Sequence, residues 1–271
     1  MKFLTLNTHS WMEENPQQKF EDLLKDILEK QYDLICFQEI NQAIESPVVP
    51  VNDLYHPTPS AEPIRQDHYV RCLVEKLEEE GLSYHWTWAY NHIGYDRYHE
   101  GVAILSRTPI QASELLVSDV NDPTDDHTRR IAIVETQVDG KDIAVASVHL
   151  SWWDKGFQQE WARLEERFSQ LQKPLILAGD FNNPAGQEGY EAILASPLSL
   201  QDSFIEARQT KGTYTVGPGI DGWDDNQVPL RIDYVFTSKE WVIERLEVVF
   251  DGSSQPLVSD HYGLSADLYL P

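Results

Sequence analysis

Five short polar motifs carry the side chains of this 271-residue chain that are best suited to chemistry. They are Leu6-Asn7-Thr8, Gln38-Glu39, Ser147-Val148-His149, Gly179-Asp180-Phe181-Asn182 and Ser259-Asp260-His261. Apolar runs typical of buried strands precede Asn7, Glu39 and Asp180. Carboxylates, amides and imidazoles are therefore expected where strands end, and we hypothesise that they converge on one site.

Three of these residues, Asn7, Glu39 and Asp260, offer oxygen ligands to a metal ion. A hard divalent cation such as Mg²⁺ takes oxygen ligands, and three side chains are too few to displace all of its waters. The remaining positions would go to water and to a substrate phosphate. Zinc is disfavoured because no cysteine or histidine cluster has the spacing that a zinc site requires. Taken alone, Glu39 would ordinarily be a surface residue.

A metal held in this way could polarise a phosphoryl oxygen and neutralise charge on a leaving group. Asp180 and His261 are the candidates to orient an attacking water. Asn182 lies two residues beyond Asp180 and so points to the same side of an extended segment, where its amide could donate to phosphoryl oxygens. Any one of these motifs alone is more often structural than catalytic, so the prediction depends on their joint occurrence.

Two further acids could support the imidazoles. Asp233, in the motif Arg231-Ile232-Asp233-Tyr234, could hold His261 in one tautomer. His149 would add a second donor to phosphate, and Glu100 could orient it. The sequence thus predicts two imidazoles near one phosphate, each held by a carboxylate.

Apolar periodicity predicts helices that begin at Asn15-Pro16, that carry Val70 to Leu77 and that carry Trp161 to Leu171. Strands are predicted at 101–106, 131–138, 143–150, 174–178, 234–237, 246–250 and 263–270. Asp139-Gly140 is a strong hairpin signal, so the strands beside it are expected to be antiparallel. We predict an α/β fold of two packed, mainly antiparallel or mixed sheets with helices on the outside.

Length and composition bound the class of protein. Hydrophobic residues make up 41% of the chain, which is enough for a substantial core. Because the motifs run from Asn7 to His261, we expect one domain over residues 1–271. The chain has two cysteines, too few for a disulfide scaffold, and shows no leader, cleavage site or membrane span. A cytoplasmic protein without a membrane partner is expected.

The formal net charge is −24, from 21 basic and 45 acidic residues. Such a charge repels polyanions, including nucleic acid and anionic membrane surfaces. A nuclease is therefore disfavoured. An acidic surface serves solubility equally well, and a locally basic cleft could override the average.

With these motifs the chain resembles the endonuclease/exonuclease/phosphatase superfamily, which includes DNase I-like nucleases, abasic-site endonucleases, neutral sphingomyelinases and inositol polyphosphate 5-phosphatases. The resemblance also rests on Gly101-Val102-Ala103-Ile104-Leu105-Ser106-Arg107, and it spans nearly the whole length. It implies a four-layered α/β sandwich and phosphoester hydrolysis by in-line attack of water. It also implies dependence on Mg²⁺, for which Mn²⁺ could substitute.

The resemblance assigns roles residue by residue. It implies that Glu39 is the principal metal ligand, with Asn7 and Asp260 as its helpers. The other matches are Asp180 and Asn182 to the pair near the attacking water and the phosphate, His261 and Asp233 to the acid–base dyad, His149 to the first phosphate-contacting histidine, and Glu100 to its partner. Which residue takes the proton of the water, and whether one or two metal ions bind, stays open.

The substrate has to be inferred from the residues around the motifs. Tryptophans suited to stacking on a sugar lie near the motifs in sequence; they are Trp11, Trp86, Trp88, Trp152, Trp153 and Trp223. We select Trp11, Trp153, Trp223 and Arg130 as candidate substrate contacts, although indoles are core residues at least as often. Basic residues near the motifs are few, which suits one phosphate better than a nucleic-acid backbone.

Within the superfamily the chain is most similar to the sugar-phosphate branch, in particular to the maltose 6'-phosphate phosphatases of lactic acid bacteria. We expect a small-molecule sugar phosphate as substrate, and the alternative is a Mg²⁺-dependent endo- or exonuclease acting on DNA or RNA. A lipid hydrolase of the sphingomyelinase type is disfavoured because no exposed apolar run is evident. A binding protein on an inactive hydrolase fold would be expected to lack one of the polar residues. The oligomeric state is not predicted.

Overall fold

Two mixed β-sheets pack face to face in the computed structural model, which describes residues 1–220, 222–223 and 225–271. The strands are β1 (Lys2–Asn7), β2 (Leu34–Ala43), β3 (His85–Gly94), β4 (Tyr98–Ser106), β5 (Gln111–Leu116), β6 (Arg130–Val138), β7 (Lys141–His149), β8 (Leu175–Asp180), β9 (Gln201–Asp202), β10 (Gln209–Lys211), β11 (Asp233–Thr237), β12 (Val242–Val249) and β13 (Gly263–Tyr269). Within these residues one sheet has the order β10-β12-β13-β1-β2-β4-β3 and the other β5-β6-β7-β8-β11-β9.

The helices are α1 (Pro16–Lys30), α2 (Tyr69–Glu79), α3 (Phe157–Phe168), α4 (Glu188–Leu194) and α5 (Ser203–Glu206). The first two confirm helices predicted from apolar periodicity, and α3 confirms the third except that it ends at Phe168, before Leu171. Helix α1 begins at Pro16, because the fixed φ and missing N–H of proline suit a first helical turn. Asn15 precedes it without a side-chain capping bond.

Three apolar cores separate four layers. The first lies between α1 and α2 and the seven-stranded sheet, and it contains Leu23 and Leu73. The second lies between the sheets, where Ile104 of β4 and Val145 of β7 belong to one cluster. The third, which contains Leu164, lies between the six-stranded sheet and helices α3 and α4. The predicted four-layered α/β sandwich is confirmed.

The predicted hairpin at Asp139-Gly140 joins β6 to β7. These two strands are antiparallel, and Val138 pairs with Lys141 across the turn. Both turn residues have positive φ, 51° at Asp139 and 76° at Gly140, as a two-residue type I' turn requires. Strand β7 pairs in parallel with β8, however, and β1 in parallel with β2, so both sheets are mixed.

Strand β3 was not predicted, and its sequence carries two of the tryptophans that lie near the motifs in sequence. Trp86 and Trp88 are 1% and 0% exposed and belong to the core beneath α2. Their indoles alternate with residues that face the other sheet, such as Ala89. These two rings, which were not selected as substrate contacts, are core residues.

The sequence also led to expectations about the cysteines and about membrane spans. Cys36 and Cys72 are both unpaired. Among the described residues no helix is both long and apolar enough to span a membrane. Asp221 and Asp224 lie outside the described residues.

Candidate active site

The ends of neighbouring strands bring the sequence motifs together. In the seven-stranded sheet, Asn7 at the end of β1 pairs with Gln38 of β2. In the six-stranded sheet, Asp180 at the end of β8 pairs with His149 on one side and with Asp233 on the other. Strand pairing thus places these polar side chains at one edge of the sandwich.

A buried amide joins the two sheets below this edge. Gln38 Nε2 donates to Ser147 Oγ at 2.9 Å, and Ser147 Oγ donates to the carbonyl of Phe37 at 3.0 Å. Close to it, Asn7 Nδ2 donates to Asp180 Oδ2 at 3.2 Å. These bonds fix the two halves of the site relative to each other, and they explain why Gln38 and Ser147 belong to the motifs.

The backbone at two motif residues is shaped for the site. Glu39 has a φ of 54° where the pairing of β2 with β4 shifts register, and such a bulge re-aims a strand side chain. Gly179 has a φ of 140°, and a Cβ there would lie 2.1 Å from the carbonyl oxygen of Val148. Only glycine fits the close approach that precedes Asp180.

Buried carboxylates crowd the site. Burial raises the pKa of Glu39, and the charge of Asp260 adds to that rise. Burial and the charge of Asp233 raise the pKa of Asp180 to about 7. A divalent cation would relieve this repulsion, and the oxygens of Glu39 and Asp260 are the ligand atoms that a hard cation takes. The residues present therefore fit a divalent metal.

Asn7 lies beside the predicted metal ligands. Its amide nitrogen donates to Glu39 Oε1 at 2.8 Å, and its Oδ1 accepts from the backbone N–H of His9 at 3.3 Å. In this arrangement the side chain orients Glu39, and its role as a metal ligand stays a prediction.

His261 and Asp233 form the predicted pair. The Nδ1 of His261 lies 3.0 and 3.1 Å from the two carboxylate oxygens of Asp233, and its Nε2 lies 3.8 Å from Asp180 Oδ2. Burial disfavours the imidazolium, but the charges of Asp233 and Asp180 raise the pKa of His261 well above its usual value. The ring is held with an N–H at Nδ1, because a carboxylate only accepts.

His149 is held by an arginine. Its Nε2 lies 3.7 Å from Asp180 Oδ2, and its Nδ1 accepts from Nη1 of Arg129 at 3.1 Å. Since a guanidinium only donates, Nδ1 carries no proton and the N–H of a neutral ring is at Nε2. Burial and the charge of Arg129 hold the pKa of His149 well below its usual value. The expectation that Glu100 orients this ring is corrected: Glu100 lies 3.8 Å from Nε2 of His92.

Asn182 turns back toward the site with a φ of 51°. Its backbone N–H donates to Asp180 Oδ1 at 2.8 Å, and its Nδ2 donates to the carbonyl of Leu150 at 3.0 Å. The indole N–H of Trp223 donates to its Oδ1 at 3.1 Å. A primary amide has two N–H donors, so one remains for a ligand.

These groups line a cleft of about 670 Å³. Its described lining residues are Glu39, His92, Ile93, Gly94, Tyr95, Asp96, Glu100, Thr124, Asp126, Arg129, His149, Trp152, Asp180, Asn182, Gly222, Asp260 and His261. Gly222 lies against Trp152 so closely that an added Cβ would be 2.7 Å from ring atom Cζ2. Two of the metal-ligand candidates, Glu39 and Asp260, therefore share one cavity with the phosphate-contact candidates His149 and Asn182.

Three of the four selected substrate contacts point elsewhere. Trp11 packs on Phe20 and Tyr69, and its N–H donates to the carbonyl of Asp67 at 2.6 Å. Arg130 donates to the carbonyl of Tyr90 at 3.1 Å and to Asn121. Trp153 packs against Phe157, with ring centroids 5.9 Å apart. Their polar and aromatic groups are used within the fold, and Trp223 alone of the four bonds to a site residue.

Sequence reasoning missed four residues of the site. Arg129 and Trp152 are each adjacent to a residue that was selected in their place, Arg130 and Trp153. Within each pair, the side to which the backbone directs each side chain decides which residue lines the cleft. His9 and Glu13 were not considered; His9 Nδ1 lies 3.0 Å from Glu13 and 3.9 Å from Asp260. Burial opposes charge on His9, but Glu13, Glu39 and Asp260 raise its pKa to about 9. The position of His9, directly after Asn7-Thr8, was the available signal.

The chain is similar over most of its length to known proteins. Residues 11–261 match the model of the endonuclease/exonuclease/phosphatase family. An endonuclease/exonuclease/phosphatase family protein from Leptotrichia buccalis C-1013-b is 31% identical, with complete coverage of both chains and a TM-score of 0.87. A search of curated proteins gave no match.

Two other solved structures share the fold at lower identity. A mannosyl-6-phosphatase from Bacteroides thetaiotaomicron VPI-5482 is 15% identical, with complete coverage of both chains and a TM-score of 0.67. The human Nocturnin catalytic domain is 18% identical and has a TM-score of 0.69, with 100% of this chain and 93% of that chain covered. The extent of the family match and the identity to the Leptotrichia protein show that this chain belongs to the endonuclease/exonuclease/phosphatase family.

Proposed function

We propose that the protein is a Mg²⁺-dependent phosphomonoesterase that releases phosphate from a phosphorylated sugar, with maltose 6'-phosphate as the first candidate. One observation carries the proposal: among its described residues, the cleft is lined by six carboxylates and one guanidinium. A single phosphate at a metal ion suits such a lining. A nucleic-acid backbone needs several cationic contacts, and the acidic rim would repel it.

The floor of the cleft would do the chemistry. Glu39 and Asp260 would hold the cation, with Asn7 orienting Glu39. A bound Mg²⁺ would supply charge neutralisation at the phosphoryl oxygens and the leaving group, and Mn²⁺ could substitute. Asp180 or His261 would take the proton of an attacking water, since Asp180 Oδ2 and His261 Nε2 face each other at 3.8 Å.

Donors from two residues would stabilise charge on the phosphoryl group. His149 presents the N–H of Nε2, Asn182 has one amide N–H left over, and Asp233 fixes the orientation of His261. Because these donors are held by buried bonds before substrate arrives, little reorganisation is needed as charge develops. Hydrolysis would form a bond between the water oxygen and phosphorus and break the bond between phosphorus and the sugar oxygen. The sugar oxygen would take up a proton as it departs, so that the products are a neutral sugar and inorganic phosphate.

The mouth of the cleft would bind the sugar. The indole of Trp152 and the exposed carboxylates of Asp96 and Asp126 lie at this mouth. Indole faces stack on sugar rings, and carboxylates accept bonds from hydroxyl groups. A protein of the same fold is named a mannosyl-6-phosphatase, which supports the choice of a sugar phosphate. We further propose that the chain acts as a single domain in the cytoplasm.

A panel of phosphorylated mono- and disaccharides, nucleotides and oligonucleotides tests this function through phosphate release with and without EDTA. We expect Mg²⁺-dependent release from one or more sugar phosphates and the highest kcat/KM for a disaccharide 6'-phosphate. Plasmid nicking under the same Mg²⁺ concentration, without turnover of any sugar phosphate, would instead assign a nuclease.

A further inference from the structure

Arg129 is a buried cation in the wall of the cleft, and the part of the chain that the structure describes places no counter-charge beside it. Its residue is 7% exposed, and Nη1 donates to His149 Nδ1 at 3.1 Å. Its Nε has no hydrogen-bond partner, and no carboxylate lies within 4.0 Å of its guanidinium among residues 1–220, 222–223 and 225–271. The neighbouring imidazole is a neutral acceptor and offers no negative charge.

Arg231 shows how a structural arginine is accommodated in the same protein. It is 8% exposed, and its Nη1 lies 2.7 Å from Asp202 Oδ2. Its guanidinium also lies over the rings of Phe204 and Tyr234, at 4.5 and 4.7 Å from their centroids. Burying a guanidinium is costly without such partners. Arg129 is buried to the same degree, so an anion bound beside its guanidinium would offset the cost of burying that charge.

The backbone fixes Arg129 in place. Its N–H donates to Ser118 Oγ at 2.8 Å, and its carbonyl accepts from the N–H of Val117 at 2.9 Å. The carboxylate of Glu160 interacts with its charge from a greater distance, but Glu160 accepts bonds from the N–H and Oγ of Ser151, both at 2.7 Å. The guanidinium is thus positioned before any ligand binds.

We propose that Arg129 determines specificity by binding the phosphoryl group of a doubly charged phosphomonoester, and so favours monoesters over diesters. The proposal rests on the proposed function. A monoester carries a charge of about −1.5 to −2 at neutral pH because its second pKa is about 6, whereas a diester carries −1. Arg129 is the guanidinium that shares the cleft lining with His149, Asn182 and the metal-ligand candidates. Among the described lining residues Arg129 is the one guanidinium or ammonium group, so it is the side chain that can match the additional negative charge of a monoester.

The planar guanidinium suits this role. It presents donors in a fixed fork that matches phosphate oxygens, and only one of its five N–H groups is used by His149. A lysine at the same position would keep the charge and lose the fork. The two properties are therefore separable by substitution.

The test compares kcat/KM for p-nitrophenyl phosphate and bis(p-nitrophenyl) phosphate with Mg²⁺ present. For Arg129→Gln we expect the monoester value to fall about 100-fold and the diester value about fivefold, as for loss of one preorganised donor to a charged group. Arg129→Lys should give an intermediate loss of selectivity. Equal losses for both substrates in Arg129→Gln would overturn the proposal. Should that variant fail to fold, unchanged selectivity in Arg129→Lys would overturn it.

Two comparisons separate Arg129 from other causes. Lys155→Gln removes an exposed cation near Trp152, and the ratio of the monoester kcat/KM to the diester kcat/KM should change less than about twofold. A change in this ratio as large as that in Arg129→Gln would mean that the overall positive charge near the cleft, and not a contact of Arg129, sets the selectivity. Calorimetric measurement of inorganic phosphate binding with Mg²⁺ present tests whether Arg129 acts only by positioning His149. In a His149→Ala background, Arg129→Gln should still weaken phosphate about tenfold, and no further weakening would contradict direct binding.

The outcomes also distinguish this proposal from the proposed function. A wild-type protein that prefers the diester would disprove the phosphomonoesterase itself. A wild-type protein that prefers the monoester, together with an Arg129→Gln variant that keeps that preference, would disprove only the role of Arg129.

Discussion

The cleft has two regions that differ in how the chain builds them. Its floor consists of Glu39, Asp180, Asp260 and His261, with the buried side chains of Asn7 and Asp233 behind them. Asn7, Glu39, Asp180 and Asp233 lie in strands, and Asp260 and His261 precede β13. Its wall consists of Asp96, Asp126, Arg129 and Trp152, which lie in turns and in segments next to strands. Strand pairing fixes the floor, while loop conformation fixes the wall. The chemistry is therefore expected to depend on the floor, and the choice of substrate on the wall.

The largest effect is expected from substitution in the floor. Asp180→Asn and His261→Ala each remove a group that faces the reacting phosphate in the proposed mechanism. By analogy with removal of a member of a catalytic triad, kcat for phosphate release should fall about 10⁴-fold. Circular dichroism should show a retained fold, and full activity in either variant would mean that the floor is not catalytic.

Metal removal is the next test of the floor. EDTA should reduce phosphate release to background, and added Mg²⁺ should restore it. Glu39→Gln should raise the Mg²⁺ concentration for half-maximal activity about 100-fold, since a ligand loses its charge. Glu135→Gln is the matched control, because that carboxylate lies on β6 outside the cleft and pairs with Lys173. Activity that survives EDTA would contradict a metal-dependent floor.

The floor also depends on a glycine. In Gly179→Ala the new Cβ would lie 2.1 Å from the carbonyl oxygen of Val148, so the free energy of unfolding should fall by about 3 kcal/mol. Gly186→Ala is the matched control: it has a φ of 78° with open space around it, and it should lose only about 1 kcal/mol. Urea denaturation measures both. Equal losses would show that the close approach at Gly179 does not constrain the site.

The floor was predictable because strands, and the polar residues that follow them, are visible in sequence. The hairpin at Asp139-Gly140 and the helix that begins at Pro16 were predicted for the same reason: a local signal decides each of them. Strand β3 was missed because its run of aromatic residues suited a binding surface as well as a core. Trp86 and Trp88 are buried in the core that also contains residues of α2, and this packing depends on tertiary contacts that no local sequence pattern indicates.

The arginine and the tryptophan of the wall could not be predicted, because in each case two adjacent residues of the same type were candidates to line the cleft. In an extended segment neighbouring side chains point to opposite sides, so Arg129 enters the cleft and Arg130 bonds to β3. Trp152 and Trp153 divide in the same way, one lining the cleft and the other packing on Phe157. The sequence therefore identifies each pair of adjacent residues, but the conformation of the segment decides which of the two side chains enters the cleft.

The two tryptophans offer a matched test of the wall. Trp152→Ala should raise KM for the sugar phosphate about tenfold with kcat changed less than about threefold, because a stacking surface is lost. Trp153→Ala should leave KM unchanged and lower the free energy of unfolding by about 1 to 2 kcal/mol. Steady-state kinetics and thermal unfolding separate the two outcomes. The reverse pattern would mean that the selected residue, Trp153, contacts substrate after all.

The smallest effect is expected at the two exposed carboxylates of the wall. Asp96→Asn and Asp126→Asn should each raise KM for the sugar phosphate about threefold, the size expected for weakening one solvent-exposed hydrogen bond. The KM for p-nitrophenyl phosphate, which has no hydroxyl groups, should stay the same. A parallel change for both substrates would show that the two carboxylates act through their charge and do not bind the sugar.

The central claim is that this cleft hydrolyses a single terminal phosphate. The most direct measurement is the ratio of kcat/KM for a sugar 6-phosphate to kcat/KM for a dinucleotide, taken with one preparation at one Mg²⁺ concentration. The account predicts a ratio of at least about 100, because the diester lacks the second charge and meets an acidic rim. A ratio below one would contradict it.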